Sequence, residues 1–532
     1  MSRAPRVADS GDSVDFQSLR RQISESGSHP LDVSHVAAML ELSGITDRRA
    51  VSLGYDDVFD LAQALYESLS TDMRWETVLA DDGDPWYKRF FQTIRLYLRG
   101  LSFAAPMILS SASVLALRFS LWSYVDFSTE IATAIALATF GSFLVTGGFT
   151  QAIARRGLFY ITQEQWRLAR ISTARLLLMG VYAIVLTVLL VIIFVAIIPI
   201  LPWPIVGYTF LYFLPMSFIW LGTGLLYMLD WEPVILVLIS FGIGMVYYFF
   251  DIRKVPMMYA QAISMWIIAV ISFLLAFVLF RRLERRNPKE MEQSHRMRWS
   301  QATRSLMPFF IYGVAYFALN FADRVMAWSR PEEFHPYFIW FRGDYELGLD
   351  WALWCLFVPM GIVEIYIVGM FRRIQRLGKH VNVANIPAFN RGFQLYHLRT
   401  MILVLVSGFA SIPGLVWLAK WLFQLGLLYF DPMDNPITRF VFLVGSPSFS
   451  IIAAGLQGSL VLFSLNEPWV ATRAAGSALL LNIIVGFLAS RYVAYWWAVW
   501  GLAVGSLVFT GLITVQAMRV LGRLDFHLMR GA

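Results

Sequence analysis

Residues 174–201 read ARLLLMGVYAIVLTVLLVIIFVAIIPIL, an apolar stretch whose one charged residue, Arg175, stands at its start. As a helix it would be about 40 Å long, which exceeds the roughly 30 Å of hydrocarbon in a bilayer. A helix satisfies its own backbone hydrogen bonds, so it can cross lipid without a partner strand. The stretch therefore predicts a membrane-spanning helix.

Eleven further apolar runs of this kind lie between residues 100 and 518. The complete set is Leu101–Trp122, Ile131–Ala154, Ala174–Leu201, Ile205–Leu229, Val234–Phe250, Met257–Phe280, Leu306–Trp328, Leu349–Phe371, Met401–Leu422, Phe440–Leu465, Ala474–Ala489 and Ala494–Met518. We predict an all-α polytopic membrane protein of about 12 transmembrane helices, with eleven or thirteen as alternatives because Ala474–Ala489 is short. The densely charged connection 281–304 leaves six runs on each side, which predicts two six-helix bundles.

Composition supports this class and argues against others. Of the residues, 58% are hydrophobic and 15% are charged, whereas a soluble chain carries about 25% charged residues. Cys355 is the single cysteine and lies in an apolar run, so no intramolecular disulfide can form. The seven histidines form no cluster with metal-ligand spacing, so we expect no metal site and no cofactor.

The charges are distributed unevenly along the chain. Residues 1–86 contain 7 Lys+Arg and 16 Asp+Glu, a net charge of −9, and residues 87–532 have a net charge of +16. With both termini in the cytoplasm, 27 Lys and Arg residues fall on the cytoplasmic side and 8 on the outside. This asymmetry predicts a bacterial inner-membrane protein with both termini cytoplasmic. Juxtamembrane arginines account for the basic charge, so we expect no nucleic-acid partner.

These patterns divide the chain into four predicted segments. Residues 1–29 are polar, lack a signal-peptide core and predict a disordered tail. Residues 30–85 contain two amphipathic stretches and a helix-start signal at Thr46-Asp47, and they predict a small acidic helical cytoplasmic domain. Residues 86–286 and 287–532 are the predicted bundles. At the start of the first bundle, Trp86–Leu98 mixes aromatic and basic residues, which suits either the lipid headgroup layer or the flank of the first span.

No catalytic motif supports an enzyme. The chain has no P-loop, no Gly-x-Ser-x-Gly elbow and no His-Glu-x-x-His motif. Asp344, Glu346 and Asp350 could serve a transferase, but we expect them to form a solvated rim. The functional candidates are therefore polar residues at membrane depth, where polar groups are costly.

Five such residues stand out as candidates to face a substrate or coupling cavity. Asn320, Asp323 and Arg324 lie in the seventh run, with Asn320 and Asp323 on one helix face. Glu364 lies among aliphatic residues in the eighth run, and Arg324 and Lys420 are its candidate partners. Gln151 follows paired glycines that would permit either close helix approach or a break in the helix that exposes backbone. For Asp323 and Glu364 a structural ion pair is the alternative to a role in transport. Trp328, Trp340, Trp351 and Trp354 would anchor the interface or stack on sugar rings.

Three stretches resemble one family. Residues 142–156, SFLVTGGFTQAIARR, resemble the end of the second span in the Pel exopolysaccharide exporter family (PelG-like). Ala315–Trp328 resembles that family's seventh span, and Tyr345–Pro359 is similar to the start of its eighth. The family belongs to the multidrug/oligosaccharidyl-lipid/polysaccharide (MOP) flippase superfamily, so the resemblance implies twelve spans in two bundles around a central cavity. Arg324 replaces the family's Lys, and residues 30–76 replace a short N-terminus.

These observations together predict an inner-membrane transporter that exports an exopolysaccharide or lipid-linked sugar by alternating access. Its expected partners are that sugar, membrane lipids and a cytoplasmic glycosyltransferase bound through residues 30–85. One alternative is a non-transporting assembly subunit of a polysaccharide synthase complex. A weaker alternative is a multispan glycosyl- or acyltransferase.

Overall fold

The computed structural model describes residues 16, 18, 19, 33–71, 85–286, 299–332, 337–377, 386–428 and 431–531. Apart from Phe16, Ser18 and Leu19, the predicted tail lies outside the described residues, as does the middle of the charged connection between the predicted bundles, residues 287–298. Below, "inner" and "outer" follow the orientation predicted from the arginine distribution.

Three short helices form a small N-terminal unit. They are α1 Val33–Leu42, α2 Asp47–Ser52 and α3 Val58–Thr71. Its core includes Val36, Leu40, Leu61 and Leu65, which recur at helical spacing and are fully or almost fully buried. Phe16 stacks on Tyr55 at 6.2 Å between ring centroids, so part of the predicted tail packs on this unit.

Helix α2 begins at the predicted start signal Thr46-Asp47, but its hydrogen bonds differ from those of a side-chain N-cap. Thr46 has the extended backbone of an N-cap, yet its side chain makes no capping hydrogen bond. Asp47 Oδ1 instead accepts a hydrogen bond from the backbone N–H of Val58 at 3.1 Å. This contact links the start of α2 to the start of α3.

The first membrane bundle contains six helices. They are α4 Trp86–Leu117, α5 Thr129–Ile161, α6 Trp166–Ile197, α7 Trp203–Met228, α8 Glu232–Tyr247 and α9 Met257–Arg286. Helix α4 bends by 65° between Trp86–Ser102 and Ala105–Leu117. Pro106 explains the bend, because its ring displaces the carbonyl of Ser102 and it donates no hydrogen bond. The amphipathic first segment, with Trp86, Phe90 and Phe91 exposed, thereby leaves the direction of the span.

The second bundle begins after the charged connection. It contains α10 Trp299–Trp328, α11 Gly343–Leu353, α12 Phe357–Leu377, α13 Ile386–Gln424, α14 Pro436–Ser464, α15 Pro468–Tyr492, α16 Val499–Leu521 and the short α17 Leu524–Gly531. A 3₁₀ turn at Trp354–Leu356 joins α11 to α12 within one span. Helix α14 starts where Asn435 accepts hydrogen bonds from Ile437 and Thr438, with Pro436 at the first helical position.

The chain is an all-α polytopic membrane protein. Eleven described helices are long and apolar enough to cross a bilayer, or twelve when the bent α4 counts as one span. The short predicted run Ala474–Ala489 lies within α15, which has 25 residues. The helix at this position is therefore longer than the apolar run that predicted it. Two large buried clusters form separate cores, one mainly in α5–α9 and one mainly in α10–α16. The helices α4 and α12 form one seam between the bundles, and α5 and α10 form the other.

Candidate functional site

The α5–α10 seam brings backbones together at glycines. A methyl group on Gly313 would lie 2.9 Å from the carbonyl carbon of Gly147 and 2.9 Å from Cγ of Gln151. A methyl group on Gly148 would likewise collide with Phe310. The predicted close approach near Gln151 is therefore an approach between the two bundles. Gln151 itself lies half-buried in this seam.

The α4–α12 seam is built in the same way. A methyl group on Gly100 would lie 2.8 Å from Cα of Gly361, and one on Gly361 would enter the ring of Tyr97. Leu115, farther along α4, joins the buried cluster of the second bundle. Both seams therefore depend on small residues at their contact points.

An aromatic stack lies on the outer half of the α5–α10 seam. The ring of Phe143 in α5 stacks at 5.1 Å on Phe317 and at 5.5 Å on Phe321 of α10. On its other side Phe143 stacks on Trp220 of α7 at 4.4 Å. The stack joins the two bundles through aromatic faces, which would become exposed if the seam opened.

Charged residues from both bundles meet at the inner end, in what we call the inner ionic cluster: Arg99, Asp230, Glu232 and Glu364. Arg99 of α4 lies 2.6 Å from Asp230 and 2.9 Å from Glu232, which flank the α7–α8 connection. It also lies 3.2 Å from Glu364 of α12, across the seam. The cluster thus places one cation among three carboxylates from both bundles.

The expected partners of Glu364 were wrong. Glu364 pairs with Arg99, whereas Arg324 and Lys420 belong to other regions. Glu364 is 18 residues after Glu346, which corresponds to about 27 Å of helix, close to the hydrocarbon thickness. Arg324 sits with Glu346 at the outer end, so it cannot reach Glu364 at the inner end.

A second cluster, the outer ionic cluster, comprises Asp323, Arg324, Tyr345, Glu346 and Asp350. Arg324 forms an ion pair with Glu346 and lies 3.4 Å from Asp350. The Tyr345 hydroxyl donates to Asp323 Oδ2 at 2.6 Å, and both residues are fully buried. Asp323 and Arg324 thus take different partners, as their 100° angular separation permits.

The burial of Glu346, Trp328 and Trp351 corrects two expectations. Glu346 is 7% exposed and also accepts from Trp328 Nε1 at 2.8 Å, so it does not belong to a solvated rim. Trp328 and Trp351 are 2% and 1% exposed inside the second bundle, so neither anchors the interface nor offers a free face to a sugar. The hydrogen bond between Trp328 and Glu346 links α10 to α11.

The outer ionic cluster touches the seam through one ring. The guanidinium of Arg324 lies 5.3 Å from the centroid of Phe321, which stacks on Phe143 of the first bundle. A polar contact also joins the bundles near the outer end, where the backbone N–H of Phe341 donates to Thr133 Oγ1 at 3.1 Å. Toward the inner end, Arg155 of α5 lies 5.0 Å from the ring centroid of Phe309 in α10. The bundles therefore contact each other at both ends of the seam.

Four of the five candidate residues occupy three places, and Asn320 lies apart from them. Asp323 and Arg324 lie in the outer ionic cluster, Glu364 in the inner ionic cluster and Gln151 at the glycine contact. Asn320 donates to the carbonyl of Tyr316 within α10 at 2.7 Å and is half-buried. In the part of the chain that the structure describes, no group of three or more His, Cys, Asp or Glu side chains could hold a metal ion.

Sequence reasoning did not single out several residues of this site. Arg99, Asp230 and Glu232 each lie beside an apolar run rather than inside it, so a search for polar residues at membrane depth does not select them. Phe143 lies in a run with many other aromatic residues. One feature of the sequence could have pointed to this site. Gly100, which directly follows Arg99, is a small residue at the start of a span, where another helix can approach closely.

Comparison with solved structures identifies the fold. No protein-family model and no curated protein matches the sequence. A eukaryotic MATE transporter, AtDTX14, superposes with a TM-score of 0.52 at 12% identity, over 83% of this chain and 100% of its own. The chain has the MATE fold.

Two further structures agree. An outward-facing multidrug resistance MATE transporter of the MOP superfamily gives a TM-score of 0.52 at 11% identity, over 81% of this chain and 97% of its own. A MOP superfamily transporter from Pyrococcus furiosus, described as having a binding pocket of reverse polarity, gives a TM-score of 0.52 at 12% identity. This match covers 81% of this chain and 96% of the Pyrococcus chain. At these identities the likeness establishes the fold, and the family resemblance noted from the sequence stays a prediction.

Proposed function

We propose that this protein is an inner-membrane transporter that exports an exopolysaccharide or a lipid-linked sugar by alternating access. Both termini would lie in the cytoplasm. The observation that carries the proposal is the arrangement of the two bundles, which have separate cores and meet along two glycine-lined seams. Transport would open one end of the seams at a time while each bundle keeps its own packing.

The contacts at the two ends differ in a way that supports this mechanism. The inner end is held across the seam by the Arg99–Glu364 ion pair. The outer end is held by the Thr133–Phe341 hydrogen bond and the Phe143 stack. Because these contacts share no residue, one set can break while the other remains. Such independence is what a two-state transporter needs.

The proposed sugar cargo rests on two observations. The sequence of residues 142–156 resembles the Pel exporter family. The same segment contributes Phe143, whose stack with Phe317 and Phe321 lies on the seam. When the outer end opens, these flat aromatic faces would line the pathway, and aromatic faces suit amphipathic ring-shaped partners.

We also infer a coupling role for residues 30–85. The unit α1–α3 has its own buried cluster, which shares no residue with the clusters of either bundle. Residues 1–86 have a net charge of −9, which would favour docking on a basic surface of a cytoplasmic glycosyltransferase. This separate unit is also the observation that favours the second candidate function, a non-transporting assembly subunit.

One experiment separates the two functions. In a strain lacking the gene, surface polysaccharide and its lipid-linked or cytoplasmic precursor are both quantified. Loss of a transporter should lower the surface polymer and raise the precursor inside the cell. A parallel fall in polymer and precursor would contradict transport and support the assembly role.

Complementation of the same strain with variants of the gene tests the role of individual residues. The chain with Glu364→Gln should be present at normal amounts but fail to restore surface polymer, because its inner ion pair is lost. Glu164→Gln, which changes an exposed acid at the inner end of α5, is the matched control and should restore export. Normal export by Glu364→Gln would remove this residue from the mechanism.

A further inference from the structure

An open cavity of about 630 Å³ lies at the inner end of the second bundle. It is formed by the start of α13, the end of α16 and α17, none of which forms a seam between the bundles. Its lining includes Gln394, Arg519, Arg523 and His527. The proposed transport pathway makes no use of it.

The cavity presents positive charge that no acidic side chain pairs with in the part of the chain that the structure describes. Arg519 lies in the last turn of α16 and Arg523 in the turn between α16 and α17, and both line the cavity and are exposed. Within the described residues, neither guanidinium forms an ion pair. The nearby acids have other partners, since Asp525 accepts from Asn390 Nδ2 at 2.8 Å and Glu467 lies 3.8 Å from His527.

The local packing explains why these arginines remain available. The carbonyl groups that end α16 would be natural acceptors for them. Two amides of α13 occupy those carbonyls instead, because Gln394 donates to Met518 O at 2.7 Å and Asn390 donates to Gly522 O at 3.2 Å. The guanidinium groups are therefore left for an external anion.

Exposed apolar residues neighbour the lining residues of the cavity along α16 and α17. Leu512 and Val515 are 41% and 50% exposed and lie on the same face of α16 as Arg519. Phe526 of α17 is 56% exposed. A soluble anion would use only the arginines, whereas a phospholipid would use the arginines for its phosphate and the apolar face for its acyl chains. The juxtaposition therefore favours a lipid.

We propose that this cavity binds the phosphate headgroup of an anionic phospholipid from the inner leaflet. Arg519 and Arg523 hold the phosphate oxygens through charge-assisted hydrogen bonds, and the acyl chains lie along Leu512 and Val515. Basic pockets between helices on the cytoplasmic side of membrane proteins suit such headgroups. This site is independent of the proposed sugar pathway.

The test is a lipid titration of the purified full-length chain in detergent, followed by native mass spectrometry. Dioleoyl phosphatidylglycerol should bind, and Arg519→Gln/Arg523→Gln should weaken that binding about tenfold or more, since each juxtamembrane Arg adds to the attraction. Dioleoyl phosphatidylcholine should bind weakly to both forms. The control Arg282→Gln/Arg285→Gln removes the same charge from the inner end of α9 and should bind phosphatidylglycerol like the wild type.

Three outcomes would overturn the proposal. One is equal phosphatidylglycerol affinity in the wild type and the Arg519→Gln/Arg523→Gln variant. Another is an equal loss in the α9 control, which would indicate general surface charge. The third is displacement of the lipid by low millimolar inorganic phosphate, which would identify a soluble anion as the ligand. Because binding is measured without transport, failure here leaves the proposed function untouched.

Discussion

At the scale of single residues, Arg99 is the cation that holds the inner ends of the two bundles together. It is one-third exposed, whereas Glu232 and Glu364 beside it are largely buried. Without Arg99, these carboxylates would repel each other across the α4–α12 seam. The closed inner end should then become less favourable than an open one.

The first prediction follows for Arg99→Gln. In a Cys355→Ala background, a cysteine replacing Gln151 reports whether the inner part of the α5–α10 seam is open. Arg99→Gln should raise its rate of labelling by a thiol reagent in inside-out vesicles about tenfold, as expected when an interaction of roughly 1.4 kcal/mol is lost. Arg282→Gln, an exposed arginine of α9, is the control. An unchanged rate in Arg99→Gln would mean that the inner ionic cluster does not hold the seam closed.

The second prediction concerns the outer ionic cluster. Arg324→Met would leave Glu346 buried without its cation, and breaking a buried pair in this way costs about 3–5 kcal/mol. The variant should therefore unfold at a clearly lower temperature in detergent. Arg324→Met/Glu346→Gln removes both charges and should recover most of the loss. Equal melting temperatures for the single variant and the wild type would contradict a structural role for this pair.

The residue scale also shows what a sequence can and cannot specify. Asp323, Arg324 and Glu364 could be selected because charges within apolar runs are costly and need partners. The partner of Glu364 could not be predicted, since Arg99 is 265 positions earlier in the sequence and belongs to the other bundle. Hydropathy contains no information on which helices meet.

At the scale of helices, the glycine contacts set how closely the bundles approach. The methyl group of an alanine at position 313 would collide with the backbone of α5, which cannot yield as a flexible side chain does. Helices α5 and α10 must then move apart, and the cost of such overpacking is typically about 1–3 kcal/mol.

The third prediction is that Gly313→Ala lowers surface polysaccharide while the protein still inserts in the membrane. The control is Gly476→Ala in α15, where a methyl group would meet nothing within 4 Å. Export and protein amount are measured in the same cells. Full export by Gly313→Ala would show that the close approach at this seam is not required.

The helices themselves were largely predictable, because each apolar run overlaps one described span or, for the first run, the bent α4. Some ends differ, since the runs Leu101–Trp122 and Ala174–Leu201 each extend a few residues beyond their helices. Their irregularities were not. The 3₁₀ turn at Trp354–Leu356 and the π-helical turn at Tyr248–Ile252 leave no mark in hydropathy. The 65° bend near Pro106 was signalled only by the proline, and proline within a span does not specify the angle.

At the scale of the whole molecule, the N-terminal unit and the membrane bundles have separate buried cores. The fourth prediction is that deleting residues 1–81 leaves a membrane-inserted protein of normal amount. If the acidic unit docks as proposed, polymer output should fall, or co-purification of a cytoplasmic glycosyltransferase should be lost. Unchanged output together with unchanged partners would contradict the coupling role.

The central claim is that opening alternates between the two ends of the seams. Two cysteine pairs in the Cys355→Ala background test it: Thr133→Cys with Phe341→Cys at the outer end, and Arg155→Cys with Phe309→Cys at the inner end. Each pair is joined by a short, reducible thiol cross-linker, and surface polysaccharide is measured before and after reduction. Each cross-link alone should stop export, and reduction should restore it. Normal export with either pair fully cross-linked would contradict alternating access.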